Sequence, residues 1–510
     1  MGTLMITNGN DLDDSLILRL GRNVDLREEH FGSIIYRKKL FNLEELNHFG
    51  TLICRLIQNT PTTISALAAS IHNEYGTSIE QAEDDLQSFL GPLVVKGFIS
   101  IDDPAIASIP PETSISYLTF RLVADSLEMA WDTLAEQGFY SAPLQFHWEI
   151  THQCNLRCIH CYASASPTTD DSIGSDLLVD TLDWDRCLSL LNTLKGMGVV
   201  QVNFLGGEPM IERKFLPLLR EATDRGFDIA FPTNGTLFTR TNLLELKELG
   251  MEYVTISLDS ADPEVFEAIR GKQGIFDTVT GNIQLAKELG LGVIVNTVLT
   301  RKNFNGFEAL IELLISHRVD ILKVIDEFPV GRGLVNMEKL MLSPEEYQDF
   351  YKRMLLKIEP RYRDRLDIQL SPRFAIREQL GCCDNDGGDW EGNGGGDDTQ
   401  VTLENPPVDY RCSAGRSQCF CGADWDIYPC YLFYGEKEFI VGNLLDRSFD
   451  ELWNDPESFK CFRVPVGSIP ECENCDFSAV CKGGCRGDAY KFTRDFLAGN
   501  PYCWNLNTGD

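Results

Sequence analysis

The rhythm of apolar and polar positions changes three times along this chain. In the first hundred residues, short apolar runs (LILRL at 16–20, GSIIY at 32–36) precede three stretches with helical spacing: Leu43–Ile57, Thr63–Tyr75 and Ile79–Val95. Thr62 and Ser78 stand where they can cap the second and third helices. Strands followed by three helices predict a small winged-helix-like domain over residues 1–105. Residues 106–142 open with IPPETS and continue with amphipathic spacing, which predicts a linker and a docking helix.

From 143 to 335 the pattern alternates between β-rich apolar runs and helical stretches. The expected strands are 146–151, 199–207, 228–235, 253–259, 292–300 and 321–328, with helices such as Trp184–Lys195 and Glu264–Arg270 between them. Apolar strands alternating with helices predict a parallel sheet covered on both faces. Six units predict an α/β fold, a partial (β/α)6 TIM-type barrel, with ligands at the C-terminal ends of the strands. The residues of unusual chemistry follow or end those strands: Cys154, Gly206–Pro209, Asn234, Ser257–Asp259 and Asn296. Residues 336–408 form a bridging region whose stretch 384–399, DNDGGDWEGNGGGDDT, is too polar to bury a core and is expected to be a loop. From 409 to 510 cysteines dominate.

Composition narrows the functional classes. The formal net charge of −32 over 510 residues disfavours nucleic acid, whose phosphates need Lys and Arg. No apolar run is long enough for a membrane span, and no secretory signal is visible at the N-terminus, so a cytoplasmic protein without membrane association is expected. In a reducing cytosol, 17 clustered cysteines read as metal ligands before disulfides.

Three of them, in ITHQCNLRCIHCYAS, have the spacing Cys154-x3-Cys158-x2-Cys161. Three thiolates can hold a [4Fe–4S] cluster and leave one iron without a protein ligand. A zinc site is the alternative, with His160 or His152 as fourth ligand. Further segments follow in order. LGGEP spans 205–209, PTNG spans 232–235 and ISLDS spans 256–260. Over about 145–330 the chain resembles the radical S-adenosylmethionine (SAM) superfamily. That resemblance implies a SAM-cleaving cluster on Cys154, Cys158 and Cys161, which generates a 5′-deoxyadenosyl radical. It also implies SAM contacts from Tyr162, Gly206, Gly207, Glu208, Asn234, Ser257, Arg270 and Asn296, with the backbone near Val324 beside the adenine.

Near the C-terminus, Cys472-x2-Cys475-x5-Cys481-x3-Cys485 is preceded by Cys412, Cys419, Cys421 and Cys430 and followed by Cys503. Eight ligands suffice for two [4Fe–4S] clusters; a pair of structural zinc sites is the alternative. This pattern resembles the iron–sulfur SPASM domain of radical SAM enzymes that modify peptides. The resemblance implies a first auxiliary cluster on Cys412, Cys419, Cys430 and Cys485, with Cys421 a rival for Cys419, and a second on Cys472, Cys475, Cys481 and Cys503. With SAM, three [4Fe–4S] clusters are then the expected cofactors. Two departures stand out. Trp425 occupies the place of a common family Gly. Tyr431 follows Cys430 where the sulfatase-maturating branch has its catalytic Asp. Cys54, Cys187 and Cys461 are expected to be buried thiols. Cys382 and Cys383, beside the Gly-rich stretch, are candidates for a redox or substrate contact.

Acidic residues outnumber basic ones over 1–105, which disfavours a DNA-binding winged helix. The arrangement is similar to PqqD-like peptide-recognition domains, which capture a leader peptide as an added strand. It implies a groove between Ser33–Tyr36 and the third helix.

The combined expectation is a radical SAM oxidoreductase that matures a ribosomally made precursor peptide (a RiPP). The product would be a thioether cross-link of the sactipeptide or ranthipeptide kind, with flavodoxin or ferredoxin as external reductant. Carbon–carbon cross-linking or oxidative decarboxylation in redox-cofactor biosynthesis is the runner-up. A non-catalytic iron–sulfur electron-transfer or scaffold protein is the reading from another class. Asp326, Glu327 and Asp424 are the candidate general bases.

Overall fold

The computed structural model describes residues 16–21, 24–29, 31–37, 42–102, 140–165, 178–373, 376, 412–463, 469–477, 481 and 483–503. The expected linker helix (apart from its last three positions), the Gly/Asp-rich stretch 384–399 and the pair Cys382–Cys383 lie outside these residues. The chain divides into two compact units, the first ending its main segment at Ser141 and the second beginning at Ala142.

In the first unit, β1 (Ile17–Leu20) pairs antiparallel with β5 (Ile99–Asp102). A second antiparallel sheet has the order β2 (Val24–Glu29), β3 (Gly32–Arg37), β4 (Asn42–Leu46). Helices α1 (His48–Asn59), α2 (Ile64–Tyr75) and α3 (Ile79–Val95) follow. Leu18, Leu26, Ile35, Leu46, Ile53, Leu67, Leu86 and Phe98 share one core. Three details correct the sequence reading. Residues 43–46 are strand, not helix: pairing with β3 overrides the helix preference of Leu-Glu-Glu-Leu. The helix begins only after Asn47, whose side chain accepts from Gly50 N. Thr63, rather than Thr62, caps α2, because Thr62 is held in a β-bridge to Leu18. Finally, β3 is the central strand of its sheet, so Ser33–Tyr36 has no free edge for a peptide; the outer strands are β2 and β4.

The second unit is built on a parallel sheet in two sections. One has the order β8–β7–β6 and the other β9–β10–β11–β12–β13. The strands are β6 (Gln145–Glu149), β7 (Gln201–Leu205), β8 (Asp228–Ala230), β9 (Pro232–Thr233), β10 (Tyr253–Ser257), β11 (Gly292–Leu299), β12 (Ile321–Asp326) and β13 (Asp367–Ser371). The expected strand 228–235 is thus split in two, and β13 adds a parallel strand that the sequence reading did not contain. Trp184–Met197, Phe215–Asp224, Arg240–Glu248, Pro263–Arg270, Phe276–Glu288 and Phe307–Ser316 are the intervening helices.

The C-terminal cysteine region is not a separate layer. Its strand β14 (Gln418–Cys421) pairs parallel with β6, and β15 (Asp426–Tyr428) and β16 (Gly442–Asn443) extend the same sheet antiparallel. Cys419 lies beside Phe146 and Cys421 beside Trp148. Among the described residues no helix is long and apolar enough to cross a membrane.

Candidate active site

The loop after β6 carries Cys154, Cys158 and Cys161, and backbone groups from the loop after β7, from the helix Pro263–Arg270 and from the segment after β12 hold it. Gly207 N donates to Thr151 O (2.8 Å) and Glu208 N to Gln153 O (2.9 Å). Ile159 N donates to Ile269 O (2.9 Å), and Arg332 N to Cys161 O (2.9 Å). Arg332 also bonds Cys158 O through Nε (2.7 Å). The approach is close enough to exclude side chains. A Cβ on Gly207 would lie 2.1 Å from Gln153 O, and one on Gly331 would lie 2.1 Å from Tyr162 O.

The three thiols converge electrostatically. Burial pushes Cys154 and Cys158 up, and the neighbouring thiols of the trio add to the rise. Cys154 Sγ accepts Leu156 N (3.4 Å), and Arg270 Nη1 stands 3.9 Å from Cys158 Sγ. Cation and N–H contacts of this kind favour the thiolate that a cluster needs.

Several expected SAM contacts turn out to be committed within the protein. Glu208 is buried. Its Oε1 accepts Thr233 Oγ1 (2.7 Å) and Met210 N (3.1 Å), and its Oε2 accepts Asn234 N (2.8 Å). It therefore ties the β7 loop to the β9 loop, while Gly206 and Gly207 pack closely against the cluster loop. The Asn234 amide is used by Asn155 (2.8 Å) and Thr236 (2.6 Å). Arg270 Nε pairs with Asp259 Oδ2 at 2.7 Å, both groups buried. Burial would raise the Asp259 carboxyl, but Arg270 and His160 outweigh it and hold it at about 2. Arg270 thus braces the cluster loop. Ser257 and Asn296 are register partners on β10 and β11, each half-buried.

Among the described residues, buried polar atoms without a hydrogen-bond partner include Glu149 Oε2 at the end of β6, Tyr162 Oη on the cluster loop, Asn296 Oδ1 on β11 and Glu327 Oε1 after β12. Such atoms are costly unless a polar ligand meets them. With the three thiols and the side-chain-free Gly206–Gly207 backbone, they fit a cluster and a polar cofactor such as SAM. Asp326, by contrast, accepts Tyr347 Oη (2.6 Å) and Tyr351 Oη (2.8 Å) and faces Arg373. Asp424 is exposed. Of the three candidate bases, Glu327 is the buried one with an open oxygen, and burial pushes its carboxyl well above the usual range.

In the cysteine-rich region, Cys412, Cys430 and Cys485 feel one another's charge. Cys419 lies on the strand β14. On β14 it shares a face with Cys421, beside Phe146 and Trp148, and its charged neighbour is Arg463. Cys472, Cys475, Cys481 and Cys503 are half-buried. Among the described residues, no group of three or more potential ligands stands in closed metal-holding geometry. Trp425 keeps the left-handed backbone of the Gly it replaces (φ +70°), held by its ring against Trp148 (5.8 Å) and under Arg186. Tyr431 joins Tyr162 (5.8 Å) and Phe328 (6.3 Å) in an aromatic wall between the radical-cluster loop and Cys430. Cys54 and Cys187 are buried as expected, but Cys461 is exposed, because Phe459 and Phe462 take the inward positions of its turn. The sequence reading missed Arg332 and Arg373; only the Gly-Arg-Gly at 331–333 signals the first.

Comparison with known proteins agrees with this geometry. The radical SAM superfamily matches residues 148–314, the SPASM iron–sulfur cluster-binding domain 412–476, and coenzyme PQQ synthesis protein D (PqqD) 40–99. The chain is 28% identical over 370 residues to an AdoMet-dependent heme synthase of Oleidesulfovibrio alaskensis, covering 70% of this chain and 86% of that one. It is 26% identical over 373 residues to a PqqA peptide cyclase of Bradyrhizobium diazoefficiens, covering 71% and 87%. Among solved structures, Streptococcus suis SuiB bound to precursor peptide SuiA superimposes with a TM-score of 0.65 at 16% identity, covering 96% and 100%. The chain is a radical SAM/SPASM enzyme with an N-terminal PqqD domain.

Proposed function

We propose that this enzyme matures a ribosomally made precursor peptide, and that it forms a thioether between a Cys sulfur and a neighbouring residue's carbon. The observation that carries the peptide reading is the PqqD domain fused to a radical SAM/SPASM chain. It is supported by the relative named for the PqqA peptide and by the fold shared with SuiB, whose structure holds SuiA. Strand β4, an outer strand within the matched segment, is the edge on which the leader would add.

Three [4Fe–4S] clusters are proposed. The radical cluster lies on Cys154, Cys158 and Cys161. The first auxiliary cluster lies on Cys412, Cys430 and Cys485, and the second on Cys472, Cys475, Cys481 and Cys503. When bound, the radical cluster and SAM would supply the radical chemistry that removes a substrate hydrogen, with flavodoxin or ferredoxin as reductant. Forming the S–C bond from the substrate carbon radical and the thiol would release one proton and one electron. Glu327, in its ionised form, would take up the proton, and the auxiliary clusters would supply the acceptor for the electron. Gly206 and Gly207, with Ser257 and Asn296, form the SAM cradle; Arg270, Glu208 and Arg332 hold the loops around it.

The test is anaerobic reconstitution followed by mass spectrometry of the co-expressed precursor peptide. Loss of two mass units per link is expected. Loss of formic acid would favour oxidative decarboxylation instead. An unchanged peptide beside active SAM cleavage would overturn both. Iron analysis tests the cluster count: replacing Cys154, Cys158 and Cys161 with Ala should remove about one third of the iron.

A further inference from the structure

Arg486 stands out in the cysteine-rich region. It follows Cys485 directly and is fully buried. Its guanidinium is held by carbonyls alone: Nη1 donates to Ala498 O (2.8 Å) and Phe496 O (3.2 Å), Nε to Gly484 O (3.4 Å), and Nη2 to Gly483 O. Gly483 and Gly484 lie between Cys481, assigned to the second auxiliary cluster, and Cys485, assigned to the first. Phe496 and Ala498 lead to Cys503. One side chain therefore clamps the segments that bring ligands to both sites. The nearby Asp488 carboxylate is taken by Arg373 at 2.6 Å, and among the described residues no carboxylate lies within ion-pair distance of Arg486.

A buried cation surrounded only by carbonyls is costly unless negative charge sits close by. Here cysteines on both sides supply negative charge, and Asp488 is close enough to feel Arg486 as well. Cys412 and Cys485 of the first set and Cys472 and Cys481 of the second all act on Arg486 electrostatically. The Arg486 backbone N–H also acts to lower the Cys412 thiol, against its burial.

We propose that Arg486 is a positioning residue shared by the two auxiliary clusters, and that its buried charge raises the reduction potential of both. Adding an electron makes a cluster more negative, so a fixed cation in a low-dielectric setting favours the reduced form. Both centres are thereby better acceptors for the electron released when the product bond forms. This inference rests on the assignment of those cysteines to auxiliary clusters.

The experiment is potentiometric EPR, with iron and sulfide analysis, on the full-length reconstituted protein and its R486Q and R486K variants. Wild-type protein with iron for a single cluster would refute the cluster assignment itself. With full iron, R486Q is expected to lower both auxiliary midpoints and leave the radical cluster unchanged. The expected size is a tenfold fall in the reduced-to-oxidised ratio, 59 mV for a one-electron couple. Full iron with unmoved midpoints, or with one auxiliary midpoint moved alone, overturns the proposal. Should R486Q lose a cluster, R486K decides. Lysine keeps the charge but not the four-carbonyl fork, so restored iron with near wild-type potentials supports the charge role. Iron still missing in R486K overturns it.

Discussion

Gly207 lets the β7 loop approach the cluster loop because it has no side chain. An alanine there would place its Cβ 2.1 Å from Gln153 O and 2.9 Å from Cys154 Cβ. The G207A variant should lose about 2 kcal/mol or more of stability and bind less iron at the radical site, as read by thermal unfolding and iron analysis. Asp259 and Arg270 make the complementary case. D259N leaves a buried guanidinium without its carboxylate, and a loss of about 3–5 kcal/mol is expected from denaturant titration. Stability unchanged in D259N would refute the bracing role of this pair. At this scale the sequence told which residues gather but not what they touch. Glu208 and Arg270 were legible as site residues from GGEP and from their order along the chain. Their commitment to Thr233, Asn234 and Asp259 was not, because those partners arrive from other strand ends.

At the scale of elements, the barrel strands were legible because buried parallel strands are continuous apolar runs. Elements shaped by their neighbours were not. Residues 42–46 carry a helix-like composition and become strand only because β3 is there to pair with. Gln418–Cys421 lies in a cysteine-rich stretch, and its alternation was hidden by the cysteines. Pairing with β6 fixes Cys419 on the Phe146 face. C419A and C421A are therefore expected to keep their full iron, whereas C412A should lose the first auxiliary cluster. Iron lost in C419A would restore that residue to the ligand set. His147 spans this seam, bonded to Gln418 (3.1 Å) and to Asn203 (3.3 Å). Burial lowers its pKa to about 4, against a Gln418 contact that raises it. The folded value is depressed, so the neutral imidazole contributes stability above pH ~6.5, and that contribution is lost as pH falls toward 4. Urea midpoints measured across that window should fall for the wild type and less steeply for H147Q.

Across the whole second unit, a buried polar network links the barrel to the cysteine-rich region. Arg373 pairs with Asp488 at 2.6 Å, stands 3.7 Å from Asp326, and accepts Cys485 N on its carbonyl (3.0 Å). Asp326 is raised to about 6, burial outweighing Arg373 and the two tyrosines. R373M would strand two buried carboxyls. It should lower thermal stability and also broaden the auxiliary EPR signals, while the radical-cluster signal stays sharp.

The pairing of β14 with β6 also orders events in time. Strand β6 is made early, yet its partner leaves the ribosome only after Cys421 has been added. At about 5–20 residues per second, that gap lasts roughly tens of seconds. Throughout it, a nascent chain carries a naked β-edge beside three oxygen-sensitive thiols. Cellular yield should therefore depend on how quickly translation crosses the residues between β6 and β14 and on how well chaperones shield that edge in the meantime.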